Sequence, residues 1–229
     1  NTVPGVNVES STNSSSPRLI IRGAGLKARY GVREIMIVKD GVPMTDPDAF
    51  TRFDFIDMQD VKSIEVQKGP GSIQAVNAIG GVIQLISKSV FDTDKNRIKF
   101  GLGTYGASQS NIRYGKAIDE NNFMSINFSS TRNDNDWRKN NDIDSKQLSL
   151  KYGHIFEDDS AFETEIAYTE SNMQLPASMT QAEFDEFKRT GKQNDTSSPW
   201  QNSARDSKIL FVNAKYEKIV GDITYKPRF

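Results

Sequence analysis

The sequence predicts a small α+β domain followed by strands of a transmembrane antiparallel β-barrel, and three observations lead to this fold class. Up to about residue 92, short apolar stretches each end at a glycine, proline or aspartate that favours a turn. From residue 97, apolar and polar side chains alternate, beginning with Ile98, Phe100 and Leu102. The connectors are then short at one end of the strands and long at the other, which is typical of an outer-membrane barrel.

Composition excludes several classes of protein. The chain of 229 residues has 29 basic and 30 acidic side chains, so it lacks the basic excess of a nucleic-acid-binding protein. It has no cysteine, which excludes a disulfide framework and a thiolate metal site. No apolar run approaches the roughly 20 residues that a membrane helix needs. No signal peptide is visible, and we expect the N-terminus to be that of a fragment.

Residues 1–92 form the first predicted domain. Ile35 to Val38 is a continuous apolar run, as expected for a strand buried on both faces. The stretch from Phe53 to Asp60 is interpreted as a short helical turn before the next strand. The predicted strands lie near residues 18–23, 34–39, 62–68 and 81–87.

Residues 93–229 form the second predicted domain, the first strands and extracellular loops of the barrel. Strands of about ten residues match a tilted membrane-spanning strand. A soluble β-sandwich would give shorter strands without this regular alternation. Short connectors fall at 119–122, 157–160 and 218–221, and long ones at 133–144 and 171–205. The seven predicted strands lie near 97–105, 109–118, 123–132, 145–156, 161–170, 206–217 and 222–229.

The longest connector contains the pattern of a helix. Thr180 and Glu183 have the spacing of a capping box, and Gly191 is a possible helix stop. Phe184 and Phe187 follow at i,i+3 spacing, which predicts a short amphipathic helix over about 181–189. Two interpretations stay open: a lid over the barrel mouth, or a flexible insertion.

The first domain resembles the plug domain of TonB-dependent outer-membrane receptors, from about residue 3 to 88. The resemblance implies a plug inside a transmembrane barrel of about 22 strands, of which about seven are present here, because plugged lumens occur at that strand number. It also implies an outer-membrane protein in contact with lipid, and TonB as a partner through an N-terminal box expected before Asn1. The motifs that resemble the family are Ile21-Arg22-Gly23, Asp40-Gly41-Val42-Pro43, Ile64-Glu65-Val66, Lys68-Gly69-Pro70-Gly71 and Ala78-Ile79-Gly80-Gly81-Val82-Ile83.

The resemblance also implies particular site residues. Arg22 and Lys68 match the plug half of an ion-pair latch with barrel-wall glutamates, which we expect beyond residue 229. Lysine stands where the family more often has arginine, and it lacks the bidentate fork of arginine. Arg29, Tyr30 and Gln74 lie in the implied outward-facing plug loops and are the candidate ligand-binding residues.

The resemblance implies active import of a scarce nutrient, with a ferric siderophore or ferric citrate as the expected ligand, and no cofactor. Ala75-Val76-Asn77 replace the Tyr-Gly that the family often carries near the ligand, so cobalamin, other metal chelates and sugars stay open. His154 is the single histidine and is a poor metal ligand by itself. No enzyme constellation stands out: the sequence has no Walker-type phosphate loop, no GxSxG, no HExxH and no cysteine nucleophile. The alternative from another class is a secreted soluble β-rich binding or adhesion module.

Overall fold

A computed structural model describes residues 3–9, 18–28, 32–44, 51, 53, 56–69, 78–94, 96–176, 179–192 and 203–227. The chain divides into two compact units, Asn1–Ser89 and Val90–Phe229. The first unit ends at Ser89, three residues before the end of the first predicted domain at residue 92.

The described part of the first unit is built from six short strands in two sheets. One sheet pairs β1 with β2 in antiparallel register, and the other has the order β4-β3-β6-β5 with β3 and β6 parallel. The strands are β1 (Val6–Glu9), β2 (Arg18–Ile21), β3 (Ile35–Lys39), β4 (Val42–Pro43), β5 (Val61–Lys68) and β6 (Gly81–Ser87).

Strands β3 and β6 form the centre of the four-stranded sheet because they contain the most apolar runs of this unit. Ile35 and Ile37 are buried, and Met36 between them is half-buried, so β3 is covered on both faces as its unbroken apolar run predicts. In β6, Val82 and Leu85 are buried as well. Strand β5 lies at the sheet edge and is mostly exposed.

Two tight turns shape this unit. Arg22 and Gly23 both have positive φ (49° and 93°), and Asp40 and Gly41 do so too (48° and 87°). Two consecutive positive φ values are typical of a type I′ hairpin turn. The second turn produces the two-residue strand β4, which sequence analysis missed together with β1. A helical turn is expected at Phe53–Asp60, but the described residues of that stretch contain no helix, and their backbone hydrogen bonds join Ile56 to Phe53 and Asp60 to Asp57.

The second unit forms, within its described residues, one antiparallel sheet of seven strands, each bonded to the next one along the chain. Short connectors at 118–121, 156–160 and 221–222 lie at one end, and connectors 103–107, 134–142 and 175–203 lie at the other. The strands are β7 (Arg97–Leu102), β8 (Ser108–Ala117), β9 (Asn122–Asn133), β10 (Ile143–Ile155), β11 (Ala161–Gln174), β12 (Ala204–Val220) and β13 (Ile223–Tyr225).

The two faces of this sheet are opposite in polarity to those of a soluble protein. On one face, cross-strand neighbours such as Phe128, Leu148 and Tyr168 are apolar and exposed, and Leu210 in the same row is 66% exposed. On the other face the residues are polar and buried, and Asn111 is 0% exposed. A β-sandwich would bury its apolar face, whereas a membrane barrel turns it towards lipid. The predicted fold class is therefore confirmed for the wall strands.

The structure contains one helix among the described residues, α1 (Gln181–Thr190), in connector 175–203. No helix in that part of the chain is long and apolar enough to cross a membrane.

Candidate functional site: the long loops and the polar wall

Two long connectors leave the same end of the sheet and are bonded to each other. We call residues 134–142 loop A and residues 175–203 loop B. The side-chain amide of Asn140 donates to the carbonyl oxygens of Leu175 and Ser203, both at 3.0 Å. The backbone N–H of Leu175 also donates to the Ser203 oxygen at 2.8 Å. One residue of loop A thus fixes both ends of loop B.

Helix α1 in loop B has the ends that its sequence predicts. Thr180 is the N-cap and forms a full capping box with Glu183. Gly191 ends the helix in the left-handed conformation, with φ 72°. Lys188 and Arg189 lie in the last turn, where the helix dipole favours positive charge. The helix prediction is confirmed, and the lid interpretation remains a prediction.

Aromatic rings connect this helix to loop A. The ring centroids of Phe187 and Trp137 are 5.1 Å apart, and Phe184 stacks on Phe187 at 6.5 Å. Positive charges lie beside these rings: Arg138 is 5.9 Å from the Trp137 ring, and Lys188 is 4.8 Å from the Phe184 ring. We call these five residues the loop cluster. Rings of this kind supply large contact area. Lys188 is also paired with Asp185 at 2.9 Å, and Arg138 is buried.

Loop A has a polar interior that is shielded from water. Burial lowers the pKa of the Arg138 guanidinium, while the charge of Glu183 acts in the opposite direction. Asn135 is buried and its side chain donates to the backbone oxygen of Asn141. Asn141 is 0% exposed, and its side-chain amide has no hydrogen-bond partner in the described part of the chain. A buried polar group without a hydrogen-bond partner lowers the stability of the folded protein.

The polar face of the sheet forms a continuous wall of hydrogen-bonding and charged side chains. The Ser149 hydroxyl donates to a carboxylate oxygen of Glu165 at 2.8 Å. Lys215 forms an ion pair with Glu163 at 2.9 Å, and the Glu163 side chain is only 6% exposed. Nearer the other edge, Asn111 donates to both Asn127 and Ser129. Sequence analysis identified this face by its alternation but not the pairing of its charges.

The predicted latch residues lie at one place in the first unit. The backbone N–H of Arg22 donates to the Gly5 oxygen at 3.1 Å, and the Lys68 ammonium donates to the Pro4 oxygen at 2.7 Å. Both side chains are exposed. Through the Arg22 backbone and the Lys68 side chain, both residues are bonded to the turn at Pro4 and Gly5, and the pairing of their charges with wall glutamates stays a prediction. The ligand-binding candidates Arg29, Tyr30 and Gln74 lie outside the described residues.

His154 lies close to the short connectors. Its Nδ1 is 2.9 Å from the Asn122 side-chain oxygen, and its ring meets Phe156 edge to face at 4.6 Å. Phe156 in turn contacts Tyr216 at 6.0 Å. An aromatic group at a strand end is typical of the interfacial girdle of a membrane barrel. No cluster of metal-ligating side chains is found in the described ranges.

Comparison with known proteins identifies the class to which this fold belongs. Residues 1–82 match the TonB-dependent Receptor Plug Domain family. The pesticin receptor of Yersinia pestis is 24% identical over 119 residues, which are 52% of this chain and 17% of that receptor. The vitamin B12 transporter BtuB of Vibrio vulnificus is 23% identical over 177 residues, 74% of this chain and 28% of the transporter.

Solved structures of the same class have the same fold. The ferric yersiniabactin uptake receptor FyuA from Yersinia pestis has a TM-score of 0.70 at 14% identity, covering 98% of this chain and 36% of FyuA. The ferric citrate transporter FecA in its unliganded form has a TM-score of 0.72 at 16% identity, covering 95% of this chain and 33% of FecA. This chain thus spans about a third or less of the length of these relatives.

The chain carries a plug domain of the TonB-dependent receptors in residues 1–82, and its following strands have the same fold as the matched parts of FyuA and FecA. Its location is the bacterial outer membrane, since the proteins with this combination of domains are outer-membrane receptors and transporters.

Proposed function

We propose that the protein is an active-transport receptor that binds a scarce nutrient at the cell surface and imports it with energy supplied by the TonB complex. The nutrient is a ferric chelate, either a siderophore or ferric citrate. TonB binds through an N-terminal box that lies before Asn1. In this proposal the receptor catalyses no chemical reaction and uses no cofactor.

The observation that most supports this proposal is the polarity of the seven-stranded sheet. Its exposed apolar face suits lipid, and its buried polar face suits the inside of a wide barrel. An adhesion module that works outside the membrane would gain nothing from an exposed apolar band, because such a band favours aggregation in water.

The choice of a ferric chelate is supported by charge and by relatives. Arg29 in the first unit offers positive charge to an anionic, oxygen-rich ligand. FyuA is described as a ferric yersiniabactin uptake receptor and FecA as a ferric citrate transporter. We propose that Arg29, Tyr30 and Gln74 contact the ligand, and that Arg22 and Lys68 hold the plug until it is displaced.

Cobalamin is the second candidate ligand. The vitamin B12 transporter matches 74% of this chain, a larger share than the 52% matched by the pesticin receptor. Cobalamin is less anionic than most ferric siderophores, so the Arg29 charge would contribute less to its binding.

A growth experiment distinguishes these ligands. A strain that lacks the full-length receptor is compared with its parent on single defined sources of iron and on limiting cobalamin, each with and without TonB. We expect the deletion to abolish growth on one ferric chelate only, and the loss of TonB to have the same effect. Unchanged growth on every iron source would exclude the ferric assignment, and a defect on cobalamin alone would favour the second candidate.

Ligand binding by the purified receptor then tests the residues. Arg29→Gln should weaken binding of an anionic chelate by about tenfold or more, the loss of one charged hydrogen bond of about 1.5–3 kcal/mol. Arg33→Gln, a nearby substitution outside the candidate set, is the matched control and should leave affinity unchanged. Equal affinities for all three proteins would rule out Arg29 as a ligand contact.

A further inference from the structure

The first residues of the second unit lie against the polar face of its sheet. We call residues 90–94 the anchor segment. Beneath it runs one cross-strand row on strands β9 to β12, in which each residue is paired with the next: Phe123 with Gly153, Gly153 with Glu163, and Glu163 with Lys215. We call these four residues the anchor row.

Glu163 binds the anchor segment directly. Its Oε1 accepts the backbone N–H of Val90 at 3.1 Å, while its Oε2 pairs with the Lys215 ammonium at 2.9 Å. Val90 is 0% exposed. Removing Val90 from this position would leave a buried carboxylate with fewer hydrogen bonds, which is unfavourable in a poorly hydrated site.

Glycine on the wall makes room for the segment. A Cβ added at Gly153 would lie 2.4 Å from Cγ1 of Val90 and 2.8 Å from the Phe91 ring, both well below normal contact distance. The Phe91 ring also packs edge to face on Phe123 at 5.1 Å. Further along the chain, the side-chain oxygen of Asn96 accepts the backbone N–H of Gly115 at 2.6 Å. The anchor segment therefore has a shaped seat on β9 to β11, and Asn96 adds a hydrogen bond to β8.

We infer that the anchor segment stays fixed to the wall while the preceding domain is displaced. A pulling force on the first unit then moves the chain only up to the Ser89–Val90 bond. Glu163 is the positioning residue of this anchor. Releasing the seven residues from Val90 to Asn96 would add about 24 Å of free chain, at about 3.4 Å per extended residue. The anchor thus limits how far the plug moves from the wall. Its role in transport rests on the proposed function, but its mechanical property does not.

Mechanical unfolding tests the anchor without TonB. The full-length receptor in lipid vesicles is pulled from its N-terminus, and chain-length increments are recorded. We expect the first domain to extend up to Ser89, followed by a separate event of about 24 Å at higher force. Glu163→Gln and Gly153→Val should lower the force of this second event or merge it with the first. Glu170→Gln, an exposed position on the same strand, is the matched control.

The outcomes of this experiment are decisive. The inference is overturned if, in the parent protein, the chain up to Asn96 extends in the same event as the first domain. It is also overturned if the force of the second event is unchanged in both variants. Heat-modifiable migration on gels checks that each variant still contains a folded barrel. A variant that loses this migration is replaced by Lys215→Met, which removes the ion pair without changing Glu163 or the seat.

A labelling experiment separates this inference from the proposed function. Cysteine is introduced at Ala78, which is buried in the first unit, or at Thr93 in the anchor segment, in a receptor without other cysteines. With ligand and TonB present, we expect faster maleimide labelling at position 78 and no change at position 93. No change at position 78 would refute the TonB-driven movement, whereas acceleration at both positions would refute the anchor.

Discussion

The hydrogen bonds of Asn140 determine how firmly loop B is closed, and their removal is the sharpest test of the loop arrangement. Asn140 has φ 54°, a conformation that glycine adopts without strain. Asn140→Gly therefore removes the two bonds to Leu175 and Ser203 without forcing the backbone to change. At a net value of about 0.5–1.5 kcal/mol per hydrogen bond, the closed state should lose about 1–3 kcal/mol.

This loss predicts a measurable change in hydrogen exchange. About 1–3 kcal/mol corresponds to an opening equilibrium that is roughly 5- to 150-fold more favourable. The amide of Leu175, which donates to Ser203, should therefore exchange faster by that factor in Asn140→Gly. Asn140→Asp should have a larger effect, because a carboxylate cannot donate and would face two carbonyl oxygens.

A control at the other end of the sheet makes the result specific. Asn121 donates its side-chain amide to the Ile155 oxygen at 2.9 Å, far from loop B, so Asn121→Ala should leave the Leu175 amide unchanged. If Leu175 exchanges at the parent rate in both Asn140 variants, these bonds do not hold loop B closed, and the loop cluster would have to be stabilised by the aromatic contacts instead.

Three further predictions concern the second unit. Asn141→Leu should raise the unfolding midpoint, since it replaces a buried amide that has no partner among the described residues, a cost of about 1–3 kcal/mol. A lower midpoint in calorimetry would contradict this. Leu150→Arg on the exposed apolar face should lower the free energy of unfolding in lipid by about 2–4 kcal/mol, as measured by urea titration. An unchanged free energy of unfolding would show that this face does not contact lipid. Hydrogen bonds from Lys218 and Ser160 lower the pKa of Asp158 below its usual value of 3.8, so this carboxylate stabilises connector 156–160 above pH 3.8 and loses that effect as the pH falls further. Asp158→Asn should therefore abolish the acid sensitivity of the Ser160 amide in exchange experiments, and persistent sensitivity would assign it to another group.

Local patterns predicted much of the fold. The period-two alternation indicated β7 and β9 to β12, because a strand with one lipid-facing side must repeat its polarity every second residue. The strand expected over 222–229 is observed, in the described part of the chain, only as the three residues of β13. The capping box and Gly191 predicted α1 to within one residue at its end, since both signals act inside the helix itself. Strands β1 and β4 were missed because four and two residues are too short for a periodic signal.

The contacts of the candidate site could not be predicted in the same way. Trp137 and Phe187 are fifty positions apart, and nothing local to either residue indicates their contact. The seat at Gly153 depends on which residue of the neighbouring strands lies opposite it, and that requires the register of the sheet. Arg29, Tyr30 and Gln74 came from resemblance alone and await the binding measurements proposed above.

Among the described residues, each strand of the wall pairs only with the strands next to it in sequence. Contacts between residues close in sequence form with little loss of chain entropy, so each hairpin can form as soon as its second strand is available. The wall can therefore grow by the addition of one neighbouring strand at a time, with the latest strand always the open edge onto which the next is added. A cell that inserts such a protein needs to shield one growing edge at a time rather than a whole unfolded sheet.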